Sequence, residues 1–402
     1  MIPGAMKVCL ASLHPRILSG QIDSLAGLGR ALERRGHEVS LVAPFDTSQL
    51  LRQALHEIDT GPKHLLSGAK AMLQAVPRIV DASHEADVLH VAVPTPAFGW
   101  VADLIRSTSK TPVLVSFEGH LAHAEQVLGA LRRPRSLKSY LPLWLVNNGL
   151  FGRMSARLCE RYVVSSEYQR SELLELGIPP ERITVLTNVV EDSKLASCDQ
   201  PCAREQLNLP PGRQIVGYIG HFNDVKGVDL LASAFASLAG DRQDVHLALA
   251  WSGQGDPRPI ERTLSEVRRN VTWLGKVHVG TFLCAIDVLS LPYRSTAGQG
   301  AFPSLVLEAL CAGRPLVTTA LPLLSEIAED ERVALLCPPE RPDLLARQLD
   351  RLLGSEELRR QMSREQIALA RRRFAPARLA ARYESLYTSL LEDAEPSLRA
   401  AA

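Results

Sequence analysis

The sequence is poor in several features that mark specialised classes of protein. Only 7 of its 402 residues are cysteines, aromatic residues make up 5%, and the formal net charge is +1. Scattered cysteines in an odd number do not indicate a disulfide framework, and they favour a reducing, cytoplasmic setting. A dedicated nucleic-acid-binding protein needs a basic excess, so a net charge this small argues against that class, and no nucleic-acid partner is expected.

Long apolar runs are missing as well. No stretch reaches the roughly 18 apolar residues that span a bilayer, and the short apolar start predicts a β-strand rather than a signal peptide. With 46% hydrophobic and 22% charged residues, the chain has the composition of an ordinary globular protein. At roughly 100–200 residues per domain, its length predicts two or three domains.

Short apolar, β-branched runs alternate with longer segments of helical periodicity. Runs that are hydrophobic on both faces and alternate with helices predict parallel sheets covered by helices. The chain is therefore expected to be an α/β protein with two facing, Rossmann-like, doubly wound domains. The strand candidates are residues 7–13, 38–44, 88–93, 112–119, 162–166, 183–190, 215–222, 245–253, 271–277, 287–293, 315–320 and 333–339.

A polar, proline-containing stretch separates the two halves and predicts a linker near residues 191–200. The predicted domains are 1–195 and 196–375, followed by a helix and tail at 376–402 that frays after residue 394. In doubly wound sheets, ligands bind beyond the carboxyl ends of the strands. The residues that follow each strand are therefore the candidates for a site in a cleft between the domains.

One candidate anion site follows the strand at 215–222. A turn containing Lys226 and Gly227 separates this strand from the next helix. Backbone N–H groups and the helix dipole at such a turn attract an anion, and the lysine adds a positive charge. A plain turn with an exposed lysine is the alternative.

A glycine-rich loop follows the strand at 287–293 and leads into a helix predicted to begin near Ser304. The N-terminus of this helix offers N–H groups to a phosphate or sugar oxygen. Glu308, one turn further on, could accept hydrogen bonds from a ribose diol, the alternative being a solvated helix carboxylate. Gly313 is expected to close the helix, and Pro315 to open the next strand.

This segment resembles the donor-binding motif of family 4 glycosyltransferases, which are retaining enzymes of the GT-B fold. The resemblance extends over nearly the whole chain. It implies transfer of a hexose from a UDP- or GDP-linked sugar to a glycan or lipid-linked acceptor. It also implies that the last helix crosses back onto the N-terminal domain. No Asp-x-Asp cluster in a metal-holding context is present, so no metal ion or other cofactor is expected. The matching positions are Phe302, Pro303, Glu308, Ala309, Gly313 and Pro315.

The resemblance assigns roles on the donor side. Lys226 matches a lysine that contacts the donor diphosphate, and the helix N-terminus at Ser304 and Leu305 adds N–H groups. His221 occupies the position of a family arginine, so it attracts phosphate strongly only when protonated.

One position close to the donor sugar departs from the family pattern. Gly300 occupies the position of a family glutamate that approaches this sugar. The neighbouring Gln299 is a neutral group that could reach the same space. The departure leaves the identity of the donor open.

The resemblance also implies an acceptor side in the first half. Gly20 and Gln21 lie in a loop that the family brings close to the donor phosphates, although a flexible loop glycine is the alternative for Gly20. His120 matches a family histidine near the transferred sugar, with His123 as the alternative position. Glu118 is a third polar group there and could orient the imidazole.

Residues 131–157 are first basic and then aromatic and apolar. This pattern is typical of an element that rests on anionic lipid or holds a lipid-linked acceptor, here at the inner face of a membrane. Pro134 and Pro142 interrupt any long helix. A helix that packs within the domain, behind a solvated basic stretch, is therefore the alternative.

Other functions compete with that of a retaining glycosyltransferase. A non-catalytic GT-B subunit that binds a sugar nucleotide or a partner enzyme is kept open by Gly300 and His221. A nucleotide-sugar epimerase or an inverting transferase would lack the pattern at residues 302–315. A Rossmann oxidoreductase would carry a G-x-G-x-x-G fingerprint, which neither first loop contains. Donor turnover separates the transferase from the binding subunit.

Overall fold

A computed structural model describes residues 4–13, 20–44, 65–121, 127–128, 141, 144–187, 189–190, 199–295, 303–328 and 330–400. The chain forms two compact units. The first comprises Met1–Glu191, Ala297–Ser304 and Phe374–Ala402, and the second comprises Asp192–Thr296 and Leu305–Arg373. The last segment of the chain thus returns to the unit in which the chain begins.

The first unit is built on a six-stranded parallel sheet with the order β2-β1-β3-β4-β5-β6. Its central strands β3 and β4 are buried along their whole length, which explains why these runs are apolar on both faces. The strands are β1 (Lys7–Ser12), β2 (Glu38–Val42), β3 (Val88–Val93), β4 (Val113–Phe117), β5 (Tyr162–Val164) and β6 (Ile183–Val185).

Helices pack on both faces of this sheet. Alternate residues of β1 belong to two different core clusters, with Cys9 in one and Leu10 in the other. Residues 144–148 are also helical. The labelled helices are α1 (Gly20–Glu33), α2 (Leu65–Ser83), α3 (Gly99–Ser109), α4 (Leu150–Leu158) and α5 (Glu167–Glu175).

The last helix, α14 (Pro376–Ala400), packs on the first unit. Tyr383 and Tyr387 share a core cluster with Ile22 of α1, and the Tyr387 hydroxyl is hydrogen-bonded to Nδ1 of His90 at 2.7 Å. The predicted return to the N-terminal domain is confirmed. The helix extends to Ala400, beyond residue 394, after which the chain was predicted to fray.

The second unit contains a parallel sheet with the order β12-β11-β10-β7-β8-β9. Counted from β7, this is the 3-2-1-4-5-6 order of dinucleotide-binding folds. All twelve predicted strands are confirmed. The strands of this sheet are β7 (Gln214–Phe222), β8 (Val245–Gly255), β9 (Val271–Leu274), β10 (Val288–Leu291), β11 (Leu316–Thr319) and β12 (Leu335–Cys337).

The helices that accompany this sheet complete the α/β pattern. In the part of the chain that the structure describes, no helix is both long and apolar enough to cross a membrane. The helices are α6 (Gln200–Gln206), α7 (Val228–Asp241), α8 (Arg258–Thr263), α9 (Val279–Ala285), α10 (Ser304–Cys311), α11 (Pro322–Ala328), α12 (Pro342–Leu353) and α13 (Glu356–Arg373).

Each sheet has a point at which the strand order reverses. In the second sheet this point lies between β7 and β10, and in the first sheet between β1 and β3. Ligands of doubly wound folds bind beside such switch points, beyond the carboxyl ends of the strands. The topology therefore directs attention to the residues that follow these four strands.

Candidate functional site

A tight turn connects β7 to α7 and carries Lys226. Oδ1 of Asn223 accepts a hydrogen bond from the backbone N–H of Lys226 at 3.1 Å, and Gly227 has a φ of +66°. A Cβ at position 227 would overlap the carbonyl oxygen of Pro292, which directly follows β10. Only glycine fits here, so the turn lies against the carboxyl end of β10, at the switch point.

The ammonium group of Lys226 lies over the ring of Tyr293, with Nζ 4.7 Å from the ring centroid. This is the geometry of a cation–π interaction. Burial lowers the pKa of Lys226 to about 8, because removal from water disfavours the charged form. The side chain is half-buried, unlike the exposed lysine of the plain-turn alternative.

Arg294, which follows Tyr293, connects this turn to its surroundings. Its side chain is 9% exposed and makes two hydrogen bonds to Asp229 of α7, at 2.7 and 2.6 Å. It also donates to the carbonyl oxygen of Asp224 at 2.8 Å and to Glu340 at 2.9 Å. Burial by itself would lower the pKa of Arg294, but these acidic partners raise it above its ordinary value. Arg294 thus holds the turn that carries Lys226.

His221 lies near the end of β7, at the same edge of the sheet. Its Nδ1 atom is 2.5 Å from Oγ of Ser252 on β8, and its carbonyl oxygen accepts a hydrogen bond from the Tyr218 hydroxyl at 2.7 Å. The residue is partly exposed. Of the two basic residues predicted from the sequence, His221 is one of the last two residues of β7, and Lys226 lies in the turn that follows this strand.

Helix α10 begins at Ser304, as predicted, and Pro303, Ser304 and Leu305 are partly exposed. Glu308, one turn later, is only 9% exposed, so the alternative of a solvated carboxylate is wrong. Burial raises the pKa of Tyr293, and the nearby charge of Glu308 raises it further. Tyr293 thus adjoins both Glu308 and Lys226. Gln299, Gly300 and Phe302 lie outside the described residues.

At the switch point of the first sheet, Gly20 and Gln21 are the first two residues of α1 rather than residues of a loop, as was predicted. The N–H groups of the first turn of a helix have no partner within the helix. The family resemblance assigns Gly20 and Gln21 to the neighbourhood of the donor phosphates, and this role stays a prediction.

His120 follows β4, and its side chain is fully buried. Its Nδ1 atom lies 3.0 Å from Oε2 of Glu172, a residue of α5. The other oxygen of Glu172 accepts a hydrogen bond from the backbone N–H of Leu121 at 3.0 Å. The ring of Tyr168 packs against the imidazole at 5.5 Å between centroids. His123 lies outside the described residues.

The carboxylate at Nδ1 of His120 is that of Glu172, and the role of Glu118 in orienting the imidazole stays a prediction. Glu118 lies close enough to Tyr383 of α14 for its charge to raise the pKa of that phenol, in addition to the larger effect of burial. Glu118 therefore lies beside α14.

Gln169 of α5 holds the segment around His120 through hydrogen bonds to its backbone. Its Nε2 donates to the carbonyl oxygens of Phe117 and Gly119 at 3.1 and 2.7 Å. Its Oε1 accepts from the backbone N–H and hydroxyl of Ser165 at 2.8 and 2.9 Å. Together with Glu172, Gln169 holds the end of β4 and the residues after it against α5.

Several residues of these networks were not predicted as site residues, among them Gln169, Glu172 and Arg294. Glu172 is 52 residues from His120 in sequence, and no local pattern connects two such positions. Arg294 did carry a signal, because it directly follows a strand at a switch point, but its acidic partners are 46 to 70 residues away.

Two family profiles match the chain, one over each half. The first is described as Glycosyltransferase Family 4 and matches residues 19–194. The second is described as Glycosyl transferases group 1 and matches residues 213–355. The first match begins after β1 and covers β2 to β6, and the second covers all six strands of the second sheet.

Similar proteins include D-inositol 3-phosphate glycosyltransferase of Segniliparus rotundus, 24% identical over 63% of this chain. That alignment spans 57% of the relative, so the chain covers little more than half of its length. N-acetyl-alpha-D-glucosaminyl L-malate synthase of Bacillus anthracis is 22% identical, over 91% of this chain and 93% of the relative.

The fold also occurs among solved structures. The crystal structure of the Anabaena protein HepE in complex with UDP matches with a TM-score of 0.70 and 14% identity, covering 96% of this chain and 100% of that chain. From the two profiles, the relatives and the shared fold, the chain belongs to family 4 of the glycosyltransferases and has their GT-B fold.

Proposed function

We propose that this protein is a retaining glycosyltransferase that moves a hexose from a UDP- or GDP-linked sugar to a glycan or lipid-linked acceptor. The observation that carries the proposal is the cluster of Lys226, Tyr293 and Glu308 beside the switch point of the second sheet. The fold family binds nucleotides at such points. The Anabaena structure with UDP, which shares the fold, makes UDP the first nucleotide to test.

Departure of a nucleoside diphosphate requires groups that stabilise its negative charge. In this proposal Lys226 contacts the diphosphate and supplies a positive charge, His221 adds a second when protonated, and the N–H groups at Ser304 and Leu305 donate hydrogen bonds. Contact with the diphosphate raises the pKa of Lys226 and keeps it charged. We propose that these groups act without a metal ion or other cofactor.

Glu308 is proposed to accept hydrogen bonds from the ribose hydroxyls of the donor. Hydrogen bonds from hydroxyl donors to a carboxylate are charge-assisted and therefore strong, which suits a group that holds a ribose. Pro303, Phe302, Gly300 and Gln299 are assigned to the neighbourhood of the donor sugar, on the family resemblance.

On the acceptor side, Gly20 and Gln21 are proposed to approach the donor phosphates, and Glu118 and His120 the transferred sugar. In a retaining transfer, the acceptor hydroxyl attacks on the face from which the diphosphate leaves. Correct placement of that hydroxyl supplies much of the rate enhancement. The fixing of the segment after β4 by Glu172 and Gln169 suits this requirement, because a rigid segment presents its side chains in one arrangement.

The proposal also covers where the protein works. We place it in the cytoplasm, at the inner face of a membrane, with residues 131–157 in peripheral contact. A lipid-linked acceptor would be reached from that position.

Thermal shift with UDP, GDP and ADP, in buffer containing a metal chelator, tests the donor site. A ligand that binds only the folded protein raises the Tm by mass action. One nucleotide is expected to raise the Tm, and Lys226→Ala and Glu308→Ala are expected to remove this shift. Lys276→Ala, which alters an exposed lysine, is the matched control. A shift that survives both site substitutions contradicts the proposed site.

The non-catalytic alternative remains, since Gly300 replaces a family glutamate. Release of the free nucleotide from the sugar conjugate that gives the largest shift separates the two functions. Binding without release, with membrane extract supplied as a source of acceptors, would favour the binding subunit.

A further inference from the structure

The exposed large apolar side chains of this protein are concentrated in one segment. Eight of the twelve such side chains among the described residues lie between positions 128 and 158. They are Leu128, Leu141, Leu145, Val146, Leu150, Phe151, Met154 and Leu158. A concentration of exposed apolar side chains in one segment is typical of an interaction surface.

Helix α4 is oriented with its large apolar residues outward. Its buried residues are small: Gly152, Ser155 and Ala156. Leu150, Phe151 and Met154 are 78%, 68% and 59% exposed. An ordinary surface helix buries its large apolar face, so the outward side chains of α4 are not required for its packing.

The small inward residues allow α4 to pack closely against the neighbouring backbone. A Cβ at Gly152 would overlap the carbonyl oxygen of Val146. The Ser155 hydroxyl donates to the carbonyl oxygen of Ala97 at 2.6 Å and accepts from the Trp100 backbone N–H at 3.0 Å. The helix is therefore fixed in this orientation, and its apolar face cannot turn inward without breaking these contacts.

The charge of the surrounding segment identifies the partner. Between Gln126 and Cys159 the sequence contains six Arg or Lys residues and no Asp or Glu, and Arg153 is exposed on α4 itself. Basic residues beside exposed apolar ones are typical of attachment to an anionic lipid surface. A symmetric contact between two copies would instead place like charges together without acidic partners.

We infer that the outward face of α4 and the helical residues 144–148, called here the apolar face, docks on an anionic lipid bilayer. The docked segment lies beside the carboxyl edge of the first sheet. Asn147 is hydrogen-bonded to the hydroxyl of Thr95, just after β3. Resting on the proposed function, this position assigns the acceptor to the lipid-linked class, since the acceptor-side edge is held at the membrane.

Sedimentation with vesicles tests the docking without any need for activity. The full-length protein is expected to bind vesicles of 70% phosphatidylcholine and 30% phosphatidylglycerol, and to bind pure phosphatidylcholine at least tenfold more weakly. The triple variant Leu150→Gln, Phe151→Gln, Met154→Gln is expected to lose at least tenfold in affinity for the anionic vesicles. Leu174→Gln and Trp273→Gln, which remove exposed apolar residues elsewhere, are expected to bind as the wild type does.

Two further measurements keep the interpretation specific. Arg153→Glu is expected to weaken binding to anionic vesicles severalfold, with a smaller effect at high salt, where charges are screened. The triple variant is expected to keep its Tm and its shift with nucleotide. If no nucleotide raises the Tm of the wild type, that result contradicts the proposed function but not the docking on vesicles.

The docking inference is overturned if the wild type does not bind anionic vesicles, or if the triple variant binds them equally well. It is also overturned if light scattering shows a dimer that the triple substitution dissociates, since the apolar face then binds a second copy.

A separate experiment tests the class of acceptor. When the protein is incubated with radiolabelled donor and membrane extract, label is expected in the organic phase, and the triple variant is expected to transfer at least tenfold less label. Label found only in water-soluble glycan contradicts a lipid-linked acceptor.

Discussion

Nδ1 of His120 lies 3.0 Å from Oε2 of Glu172, and both side chains are buried. Because the second oxygen of Glu172 accepts the backbone N–H of Leu121, a single carboxylate fixes both the imidazole and the chain that carries it. A carboxylate at one ring nitrogen sets the tautomer and orientation of a histidine. Glu172 is therefore a positioning residue for the segment after β4.

Glu172→Ala is expected to lower the free energy of unfolding by about 3 kcal/mol, because it leaves buried donors without their acceptor. Glu172→Gln retains an acceptor for Leu121 but offers an N–H to the imidazole, so it is expected to cost about 1 kcal/mol. Urea denaturation measures both values. Glu167→Gln, at an exposed position of the same helix, is the control and is expected to change the value little.

If His120 acts on the transferred sugar, Glu172→Gln is also expected to lower kcat while leaving nucleotide affinity unchanged, because the opposite ring nitrogen now carries the proton. Nitrogen NMR of the imidazole reports the tautomer directly. An unchanged tautomer in Glu172→Gln contradicts the positioning role, whatever the effect on stability.

The affinity for a nucleoside diphosphate is expected to fall above pH 8. Burial lowers the pKa of Lys226 to about 8 in the free protein, and the diphosphate binds the charged form. Each unit of pH above 8 is then expected to weaken UDP binding up to about tenfold. Titration calorimetry between pH 7 and 9.5 measures the dependence. Lys226→Arg should flatten it, since arginine stays charged, and Lys276→Arg should not. A flat profile for the wild type contradicts the assignment.

Gly227→Ala is expected to destabilise the protein by about 2–3 kcal/mol and to weaken nucleotide binding. The φ of +66° at this position strains any other residue, and the added Cβ meets the carbonyl oxygen of Pro292. Gly240→Ala, near the end of α7, is the matched control. Its Cβ would meet nothing within 4 Å, so it is expected to stabilise the helix by about 0.5–1 kcal/mol. Equal effects of the two substitutions would contradict the role given to the turn.

Arg294→Ala is expected to lower the free energy of unfolding by about 2 kcal/mol, since three partly exposed acidic residues lose their common partner. It is also expected to weaken UDP binding severalfold, because Asp224 is released and the turn that carries Lys226 loosens. Arg294→Lys restores one charge but not the paired bonds to Asp229, so partial recovery is expected. Arg360→Ala, from an exposed pair on α13, should alter neither property. Undiminished UDP affinity in Arg294→Ala contradicts the positioning role.

The sequence predicted the sheets better than it predicted the polar networks. Strand identity follows from short-range apolar patterns, and the switch points follow from strand order, so Lys226 and Glu308 were found through their place after a strand. The partner of His120 depends on which helix lies against β4, and that contact joins positions 52 residues apart.

The sequence also did not predict which face of α4 is exposed. The pattern at residues 150–158 shows apolar residues beside small ones, and either set could have been the buried one. The short contacts of Gly152 and Ser155 decide this, and they exist only once the helix is packed.

His90 provides a test of how firmly α14 is docked. Burial lowers the pKa of His90 to about 3, whereas an unfolded chain takes up this proton near pH 6.5. Between these pH values His90 binds a proton in the unfolded state but not in the folded state. The free energy of unfolding therefore falls as the pH falls, and above pH 6.5 this group has no effect on it. The expected contribution to the free energy of unfolding is up to about 1.4 kcal/mol per pH unit.

Urea denaturation between pH 4 and 8 measures how the free energy of unfolding depends on pH, and His90→Gln should reduce this slope. His84→Gln, at an exposed histidine, should leave it unchanged. Equal slopes for the wild type and His90→Gln would mean that His90 accepts a proton within the fold, and that its contact with Tyr387 opens readily.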